Sequence, residues 1–257
     1  MSYGVFSSVY DILTENVEYE KIADKICSLL SQNEIDGGLL LDLGCGTGTM
    51  SFLLEKKGFD VIGVDLSEDM LMVANEKKYE EGSNAMFLCQ SGESLDLFGT
   101  IDCAVSVLDT INHFDSLESV KKTFEKVSLF MNLGGIFVFD INSPYKHKEI
   151  LGNNTFIYDL DEVFCAWQNS YDEDAKRTNI DLDFFIKNED DECFERYSES
   201  FSENAYELND ILTLLKECGF DILNTFDDYS DSPITDKTER ITIVAKKSKI
   251  IFKDELK

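Results

Sequence analysis

The sequence predicts an α/β fold in which a mainly parallel sheet carries helices on both faces. The short apolar runs at residues 39–43 and 60–65 are separated by a helical stripe, which is the order of a βαβ unit. Residues 101–108 are almost wholly apolar, as expected of a parallel strand that is buried on both sides. Residues 180–186 instead alternate apolar and polar side chains, which indicates an additional antiparallel sheet.

The predicted core elements run from an amphipathic N-terminal helix to a pair of closing strands. The N-terminal helix carries apolar side chains at helical spacing, namely Ile22, Ile26, Leu29 and Leu30. Strands are predicted at residues 39–43, 60–65, 85–89, 101–108, 136–141, 220–226 and 240–245, and helices at residues 50–58, 68–80, 116–134 and 207–218. Ser67 is expected to cap the second of these helices and Gly82 to end it.

The first strand leads into a turn with glycines at alternate positions, Gly44, Gly46 and Gly48. Such glycines let the backbone turn through positive φ and let a ligand lie against bare main chain. The second strand ends in Asp65, 17 residues after Gly48. A carboxylate there is able to accept hydrogen bonds from both ribose hydroxyls of an adenosine. Together the turn and the acid predict a nucleoside-binding site.

The spacing of the glycines bears on which nucleoside is bound. A dinucleotide fingerprint places its third glycine where this chain has Thr49. Asp42, two residues before the first glycine, is awkward beside a pyrophosphate but suits a cation, and S-adenosylmethionine carries an ammonium group. A nicotinamide or flavin enzyme is therefore disfavoured, as is an α/β domain with ordinary turns and no ligand.

The string Leu-Asp-Leu-Gly-Cys-Gly-Thr-Gly at residues 41–48 resembles the first motif of the class I S-adenosylmethionine-dependent methyltransferases. The resemblance covers residues 36–142, and the order of elements fits as far as residue 247. It implies a Rossmann-like fold, a seven-stranded, mainly parallel sheet with an antiparallel last strand, and S-adenosylmethionine as the cofactor. In this family the acid at Asp65 binds the ribose and the residue at Leu66 packs on the adenine.

The glycine turn and the resemblance nominate a set of cofactor-binding residues. They lie in the turn, after the following strands and in the N-terminal segment: Asp42, Gly44, Cys45, Gly46, Gly48, Asp65, Leu66, Met70, Ser91, Gly92, Leu108 and Tyr10. Ser91 departs from the family pattern, which commonly has an acid there for the adenine amino group, and a serine hydroxyl is a weaker acceptor. Tyr10 and Asp11 resemble a dipeptide found where the N-terminal segment of many small-molecule members folds over the cofactor as a lid. The alternative is that the N-terminal aromatic side chains only pack the helix onto the domain.

Residues 146–204 interrupt the alternation of strands and helices. Strands are expected around residues 163–167, 180–186 and 193–201, and similar small-molecule methyltransferases carry substrate-binding additions at this place. Trp167 is predicted to pack within this added sheet and His147 to lie on the surface. The predicted division of the chain is an N-terminal helical lid at 1–35, a methyltransferase domain at 36–145 and 205–247, the inserted sheet at 146–204 and a C-terminal tail at 248–257.

The turn after the fourth strand carries the candidate catalytic residues, Asp109, Asn112 and His113. The leaving thioether of a sulfonium needs no protonation, so proximity and alignment supply much of the rate of methyl transfer. A base is needed only where the nucleophile arrives protonated, and His113 is able to take that proton near neutral pH. Alternatively, His113 caps a helix or lies on the surface, and the other two are turn residues that bond their own backbone.

The composition disfavours several classes of partner. The chain has 51 acidic and 23 basic residues, a net charge of −28, and such a surface repels nucleic acids and anionic membranes. The acidity either serves solubility or provides a field that attracts the cationic cofactor. No run of 18 apolar residues predicts a membrane span. Seven cysteines without C-x-x-C spacing predict a reduced, cytoplasmic protein, and no Cys/His/Asp spacing predicts a metal site.

The sequence thus predicts a methyltransferase acting on a small molecule, at nitrogen in preference to oxygen. Enzymes that it resembles include those that methylate glycine-type amines and amino sugars. The family's nucleic-acid amino-methylating members carry an N/D-P-P-Y/F/W string after the fourth strand, where this chain reads Asp109-Thr110-Ile111-Asn112. A catalytically silent S-adenosylmethionine-binding regulator is the first alternative and a nicotinamide-dependent oxidoreductase the second. The sequence predicts no oligomeric state.

Overall fold

A computed structural model describes residues 4–188 and 193–250 of the protein, which contain two sheets and six α-helices. The strands are β1 (Gly38–Leu43), β2 (Phe59–Asp65), β3 (Met86–Cys89), β4 (Ile101–Ser106), β5 (Met131–Asn142), β6 (Thr155–Asp159), β7 (Val163–Asp172), β8 (Arg177–Lys187), β9 (Phe194–Asn204), β10 (Phe220–Asp227) and β11 (Arg240–Lys247). The helices are α1 (Gly4–Leu13), α2 (Tyr19–Ser31), α3 (Thr49–Lys56), α4 (Glu68–Glu81), α5 (Leu117–Phe130) and α6 (Leu208–Glu217).

The larger sheet has seven strands in the order β10-β11-β5-β4-β1-β2-β3. The parallel pairs are β1–β2, β1–β4, β2–β3 and β4–β5. Strand β11 is antiparallel to both β5 and β10. This arrangement confirms the predicted sheet with its antiparallel last strand. The chain order reverses between β1 and β4, and ligands of open α/β sheets bind beside such a reversal, at the carboxyl ends of the strands.

Helices cover both faces of this sheet, as predicted. Alternate residues of one strand belong to different cores: the fully buried Leu40 packs with apolar side chains of α2 and α3, and the fully buried Leu41 with those of α5 and α6. Phe137 and Val138 of β5 divide in the same way. Both faces of the sheet are therefore buried under helices, and a ligand site is expected in the loops at the ends of the strands.

The predicted start and end of α4 and the predicted start of α5 are found in the structure. The Ser67 side chain accepts a hydrogen bond from the Met70 N–H at 3.2 Å, and Gly82 ends α4 in the left-handed region at φ 64°. Ser116 caps α5 by accepting from the Ser119 N–H.

The prediction for the end of α5 was wrong. The sequence extends this helix to Gly134, but it ends at Phe130 and Met131 already begins β5. Met131 pairs with Ile101 and Ile136 pairs with Cys103, so the residues between Met131 and Ile136 form a bulge. The two glycines that were taken to end a helix lie in this bulge, where Gly134 has φ 88°.

The inserted region forms a separate antiparallel sheet of four strands in the order β6-β7-β8-β9. Three of these strands correspond to the predicted ones, and β6 was missed because its five residues carry only two half-buried aromatic side chains, Phe156 and Tyr158. The inner face of the sheet packs against α1 through Val9 and Phe6, whose ring lies 5.7 Å from that of Phe184.

Across the two described ranges, no helix combines the length and the apolar character that a bilayer crossing requires. The cysteines of the described residues form no disulfide bonds. Of the predicted C-terminal tail, residues 251–257 lie outside the described residues.

Candidate active site

A cavity of about 560 Å³ lies at the carboxyl ends of the parallel strands, within the size range of small-molecule sites. The floor is formed by the glycine turn after β1 and by the turns that follow β2, β3 and β4. The aromatic walls come from α1 and the inserted sheet and include Phe6, Tyr10, Phe156, Tyr158, Trp167 and Phe201. All of the nominated cofactor-binding residues except Gly48 line this cavity, as do Asp109 and His113 but not Asn112.

The glycine turn presents bare main chain to the cavity at Gly46. A Cβ added there would meet no atom within 4 Å, and the residue has φ 53°. Gly48 is required for a different reason, since a Cβ on it would lie 2.9 Å from the ring of Phe87. Gly48 therefore packs the turn onto the sheet, and Gly46 leaves room for a ligand.

Asp65 lies directly beside this turn, as the sequence predicts. One of its carboxylate oxygens accepts from the Gly46 N–H at 2.9 Å, and the other accepts from the Ser67 N–H at 2.8 Å. Burial raises the pKa of Asp65, against the lowering effect of these two hydrogen bonds. Each oxygen keeps a second lone pair for a ligand hydroxyl on the cavity side.

Asp42 has one carboxylate oxygen that finds no partner. Its Oδ2 accepts from the Ser51 hydroxyl at 2.5 Å, while Oδ1 is buried without a hydrogen bond from any described residue. Burial raises the pKa of Asp42 to about 7, and the nearby Asp65 carboxylate adds to that effect. A buried acceptor that borders a cavity and lacks a partner fits a ligand that brings a cation or an N–H donor.

The part of the cavity beside Leu66 and Met70 fits a flat apolar group. Leu66 is 55% exposed and lines the cavity together with Met70. Ser91 also borders it, but its hydroxyl caps the short 3₁₀ helix Gly92–Ser94 by accepting from the Ser94 N–H at 3.3 Å. The Ser91 oxygen thus has a structural partner, which leaves it one further lone pair for a ligand.

Polar contacts of Asp11 hold helix α1 against the glycine turn. The Asp11 carboxylate accepts from the hydroxyls of Thr47 at 2.6 Å and Thr49 at 3.1 Å, and it pairs with Lys77 of α4 at 2.7 Å. Tyr10, the neighbour of Asp11, lines the cavity. Helix α1 therefore covers the part of the cavity that the resemblance assigns to the cofactor.

The turn after β4 is held in an unusual conformation by one buried carboxylate. Leu108 and Asp109 both have positive φ, 55° and 59°, which side chains with a Cβ rarely adopt. The fully buried Asp140 of β5 accepts from both of their N–H groups, at 2.8 and 2.7 Å. Arg240 of β11 donates to the same carboxylate at 2.8 Å, and Tyr229 donates to it as well. Asp140 thus fixes the direction in which the turn presents its side chains.

Asp109 and His113 face the cavity from this turn. Burial opposes ionisation of Asp109, but Arg240 at 3.1 Å, Lys146 and His113 together outweigh it and lower the pKa of this carboxyl. Burial lowers the pKa of His113, against the raising effect of Asp109. The imidazole is therefore neutral at pH 7, and its Nδ1 has no hydrogen-bond partner among the described residues.

Asn112 does not occupy the position that the sequence suggested. It is fully buried behind the cavity wall, where its amide donates to the carbonyls of Asn142 at 3.1 Å and Asn204 at 2.8 Å. Its side-chain oxygen accepts from the Asn142 N–H at 2.8 Å. Because all these atoms are committed to backbone groups at the ends of β5 and β9, Asn112 joins the inserted sheet to the domain and does not touch a ligand in the cavity.

The surface prediction for His147 was also wrong. His147 lies in a π-helical turn, Lys146–Leu151, and is fully buried even though charged residues flank it in the sequence. Its Nδ1 lies 2.9 Å from the Thr178 hydroxyl of β8, and burial lowers its pKa to about 4. The neutral imidazole packs the turn against the inserted sheet.

Sequence reasoning missed five charged residues of the cavity: Glu93, Asp115, Lys146, Glu203 and Arg240. Arg240 had a usable signal, since it begins the antiparallel last strand and so lies at the edge where the parallel strands end. Glu203 had none, because it follows a weakly patterned strand. Trp167 packs within the inserted sheet, as expected, and also lines the cavity.

A family model described as a methyltransferase domain matches residues 40–135, which contain the glycine turn and strands β2 to β4. The protein named "Putative methyltransferase YqeM" of Bacillus subtilis is 32% identical over 252 residues, which is 98% of this chain and 99% of that protein.

Solved structures show the same relationship. The crystal structure of an S-adenosylmethionine-dependent methyltransferase from Clostridium acetobutylicum is similar, with a TM-score of 0.86 and 35% identity over 94% of this chain and 97% of that one. CalS10, an amino pentose methyltransferase from Micromonospora echinaspora solved with bound S-adenosylmethionine, shares the fold, with a TM-score of 0.75 and 14% identity over 96% of this chain and 98% of that one.

The prediction that Asp65 binds the ribose implies that Asp65→Ala removes two charge-assisted hydrogen bonds, and this variant is expected to bind S-adenosylmethionine roughly 100-fold more weakly. Calorimetric titration measures this affinity. The matched control is Asp60→Ala, which removes an exposed acid from the same strand. Unchanged affinity in a folded Asp65→Ala protein would contradict the ribose role.

The affinity for S-adenosylmethionine is expected to depend on pH through Asp42. The free carboxyl has a pKa of about 7, and an ammonium group binds only its ionised form. Below pH 7 binding must displace a proton, so the affinity is expected to fall about tenfold per pH unit. Titrations at several pH values compare the protein with Asp42→Asn, in which this dependence is absent. Identical pH profiles for the two proteins would remove Asp42 from the ammonium role.

Replacement of Asn112 by Ala is expected to lower the free energy of unfolding by roughly 2–4 kcal/mol, because it orphans three buried backbone groups. Urea unfolding measures the change. The control Asn132→Ala removes an amide that makes an exposed hydrogen bond to the Asp102 side chain, and a change within about 0.5 kcal/mol is expected. A loss of stability no larger than that of the control would refute the joining role of Asn112.

Proposed function

Because the chain belongs to the class I S-adenosylmethionine-dependent methyltransferases, we propose that it transfers the methyl group to a small molecule, at a nitrogen or an oxygen, by in-line displacement. The observation that carries this proposal is the cavity at the strand ends, whose volume of about 560 Å³ is that of a small-molecule site. One cavity joins the glycine turn and Asp65 to a pair of polar groups, Asp109 and His113, under a roof of aromatic side chains. Such a chamber suits an acceptor of limited size.

The residues present fit the cofactor. Asp42 offers a buried oxygen without a partner for the ammonium group, Asp65 offers two oxygens for the ribose, and Leu66 offers an exposed apolar face for the adenine. Gly46 leaves space for the part of the molecule that lies over the turn. When bound, S-adenosylmethionine supplies a methyl carbon on a positively charged sulfur, and transfer leaves a neutral thioether.

The side chains of this protein are proposed to act by positioning and by proton transfer. The inserted sheet and α1 exclude water and align the acceptor, and alignment of this kind contributes up to about 7–11 kcal/mol. His113 takes the proton of an acceptor that arrives protonated, because it lines the cavity and burial lowers the pKa of its imidazole. Asp109 stabilises the resulting imidazolium from 4.0 Å.

The acidic composition supports a small molecule over a nucleic acid as the substrate. A net charge of −28 repels a phosphate backbone over the whole surface. The absence of disulfide bonds among the cysteines of the described residues supports a reducing compartment, and we propose the cytoplasm.

The test uses S-adenosylmethionine that carries deuterium on the transferred methyl group. The protein is incubated with separate pools of small amines, small alcohols, RNA and DNA, and mass spectrometry locates the label. We expect the label in a small-molecule pool and none in the nucleic acids. Label in RNA or DNA would contradict the proposed substrate class, and cofactor binding without transfer to any pool would favour a silent binding protein.

Two variants test the roles of Asp65 and His113 in the same assay. Asp65→Ala is expected to lose transfer together with cofactor binding. His113→Ala is expected to keep cofactor binding and to lose the dependence of turnover on the protonation of a base. A pH profile of turnover that is unchanged in His113→Ala would exclude this residue as the base.

A further inference from the structure

Three proton-binding groups meet at the inner end of the cavity. One carboxylate oxygen each of Asp109 and Glu203 and one ring nitrogen of His113 all lie within 4.8 Å of one another. His113 Nε2 is 3.8 Å from Glu203 Oε1 and 4.0 Å from Asp109 Oδ2. Glu203 ends the last strand of the inserted sheet, whereas the other two belong to the turn after β4. The cluster therefore forms only where the two parts of the protein face each other.

The cluster has hydrogen-bonding capacity that the described residues leave unused. Glu203 is 3% exposed, and its Oε2 accepts from the Asn142 side-chain amide at 3.3 Å. Its Oε1 lines the cavity side and accepts no hydrogen bond from residues 4–188 or 193–250. His113 makes no hydrogen bond within the same ranges, since its Nδ1 is orphaned and its Nε2 is beyond bonding distance of both carboxylates.

The cationic side chains nearby are already engaged. Arg240 donates to Asp140 and Asp109, and Lys146 donates to the Asn142 side-chain oxygen at 2.9 Å. Within the described ranges, no lysine or arginine lies within 4.0 Å of the Glu203 carboxylate. Burial and the neighbouring Asp109 raise the pKa of Glu203 to about 8, although the charges of Lys146 and Arg240 act in the opposite direction. A cation that binds beside Glu203 at neutral pH therefore displaces the proton of this carboxyl.

The surroundings of this cluster are aromatic. Phe201 of β9 places its ring 5.5 Å from that of His113, and Phe156, Tyr158 and Trp167 continue the wall along the inserted sheet. The Trp167 N–H already donates to the Asn169 side chain at 2.6 Å, so the indole offers the cavity its apolar face. Aromatic faces attract cations and pack against apolar groups, whereas they offer nothing to an anion.

We propose that this cluster selects the methyl acceptor as an ammonium ion attached to an aromatic or bulky apolar group, with Glu203 Oε1 accepting from its N–H. The inference rests on the proposed small-molecule methyltransferase function and deepens it by naming the substrate class. A divalent cation would also be attracted by two carboxylates and an imidazole, but Arg240 already occupies one face of Asp109. A guanidinium at that place repels a second, doubly charged ion more strongly than a single ammonium.

Atoms and charges balance in the step that this arrangement serves. The ammonium nitrogen has no lone pair until it loses a proton, which passes to the neutral His113 imidazole beside Glu203 and Asp109. The nitrogen lone pair then forms the bond to the methyl carbon as the carbon–sulfur bond breaks and leaves its electron pair on sulfur. The proton finally leaves His113 for solvent. One proton is therefore released for each methyl group transferred.

The test measures binding to the protein loaded with S-adenosylhomocysteine. The probes are 2-phenylethylamine, the neutral 2-phenylethanol and the anionic phenylacetate, which share a ring and a similar length. Calorimetry is expected to give an affinity for the amine at least about tenfold higher than for the alcohol, with phenylacetate weakest. In Glu203→Gln this preference for the amine is expected to disappear while S-adenosylhomocysteine binds normally.

The controls separate the charge of Glu203 from the stability of the fold. Glu207→Gln removes a half-exposed acid that pairs with Lys176 outside the cavity, and it should keep the preference. Glu203→Asp keeps the carboxylate and should retain the preference for the amine at reduced affinity. This variant still tests the role of the carboxylate if Glu203→Gln does not fold.

Several outcomes would overturn the inference. These are equal binding of the amine and the alcohol, no measurable binding of the amine, or an amine preference that survives in Glu203→Gln. Binding of Mn²⁺ or Mg²⁺ that is lost in Glu203→Gln would assign the cluster to a metal instead. If S-adenosylhomocysteine itself fails to bind the unmodified protein, the proposed function fails, whereas normal binding with no amine preference refutes only the substrate class.

Discussion

The constraint on which this structure depends is the burial of several carboxylates at one edge of a parallel sheet. Each buried carboxylate needs donors or a cation, because an uncompensated charge in a low dielectric is costly. Asp140 is fully satisfied by two backbone N–H groups, Arg240 and Tyr229. This satisfied carboxylate holds the strained turn after β4, and the turn in turn carries Asp109 and His113 into the cavity.

Other carboxylates of the same cavity are left incomplete. Asp42 keeps one buried oxygen without a partner, and Glu203 has no lysine or arginine beside it in the described part of the chain. Burial raises the pKa of both groups. Both residues line the same cavity. The ammonium group of the cofactor would supply a donor and a positive charge to Asp42, and the ammonium group of the acceptor would do the same for Glu203. The lack of such partners in the protein therefore accounts for the proposed preference for both ligands.

The fold and the cofactor side of the site were predictable from the sequence because their signals are local. A glycine that must adopt positive φ, an acid at a strand end and an apolar period each occupy a few consecutive residues, and they predicted the glycine turn, the place of Asp65 and most of the strands, while the family resemblance implied the antiparallel last strand. The acceptor side depends on contacts between distant segments. Glu203 meets His113 only after the inserted sheet has docked, and Asn112 and His147 are buried by that same docking, which their polar sequence surroundings do not reveal.

The most direct test of the central claim is the pKa of the Asp42 carboxyl, followed by ¹³C NMR of the labelled side chain with and without S-adenosylhomocysteine. This ligand carries the ammonium group of the cofactor but no sulfonium, so the sulfonium charge does not contribute to a change in the pKa of Asp42. In the free protein the carboxyl should titrate near pH 7, and in the complex its pKa should fall well below that value. A pKa that is already low in the free protein, or that does not change on binding, would contradict the account.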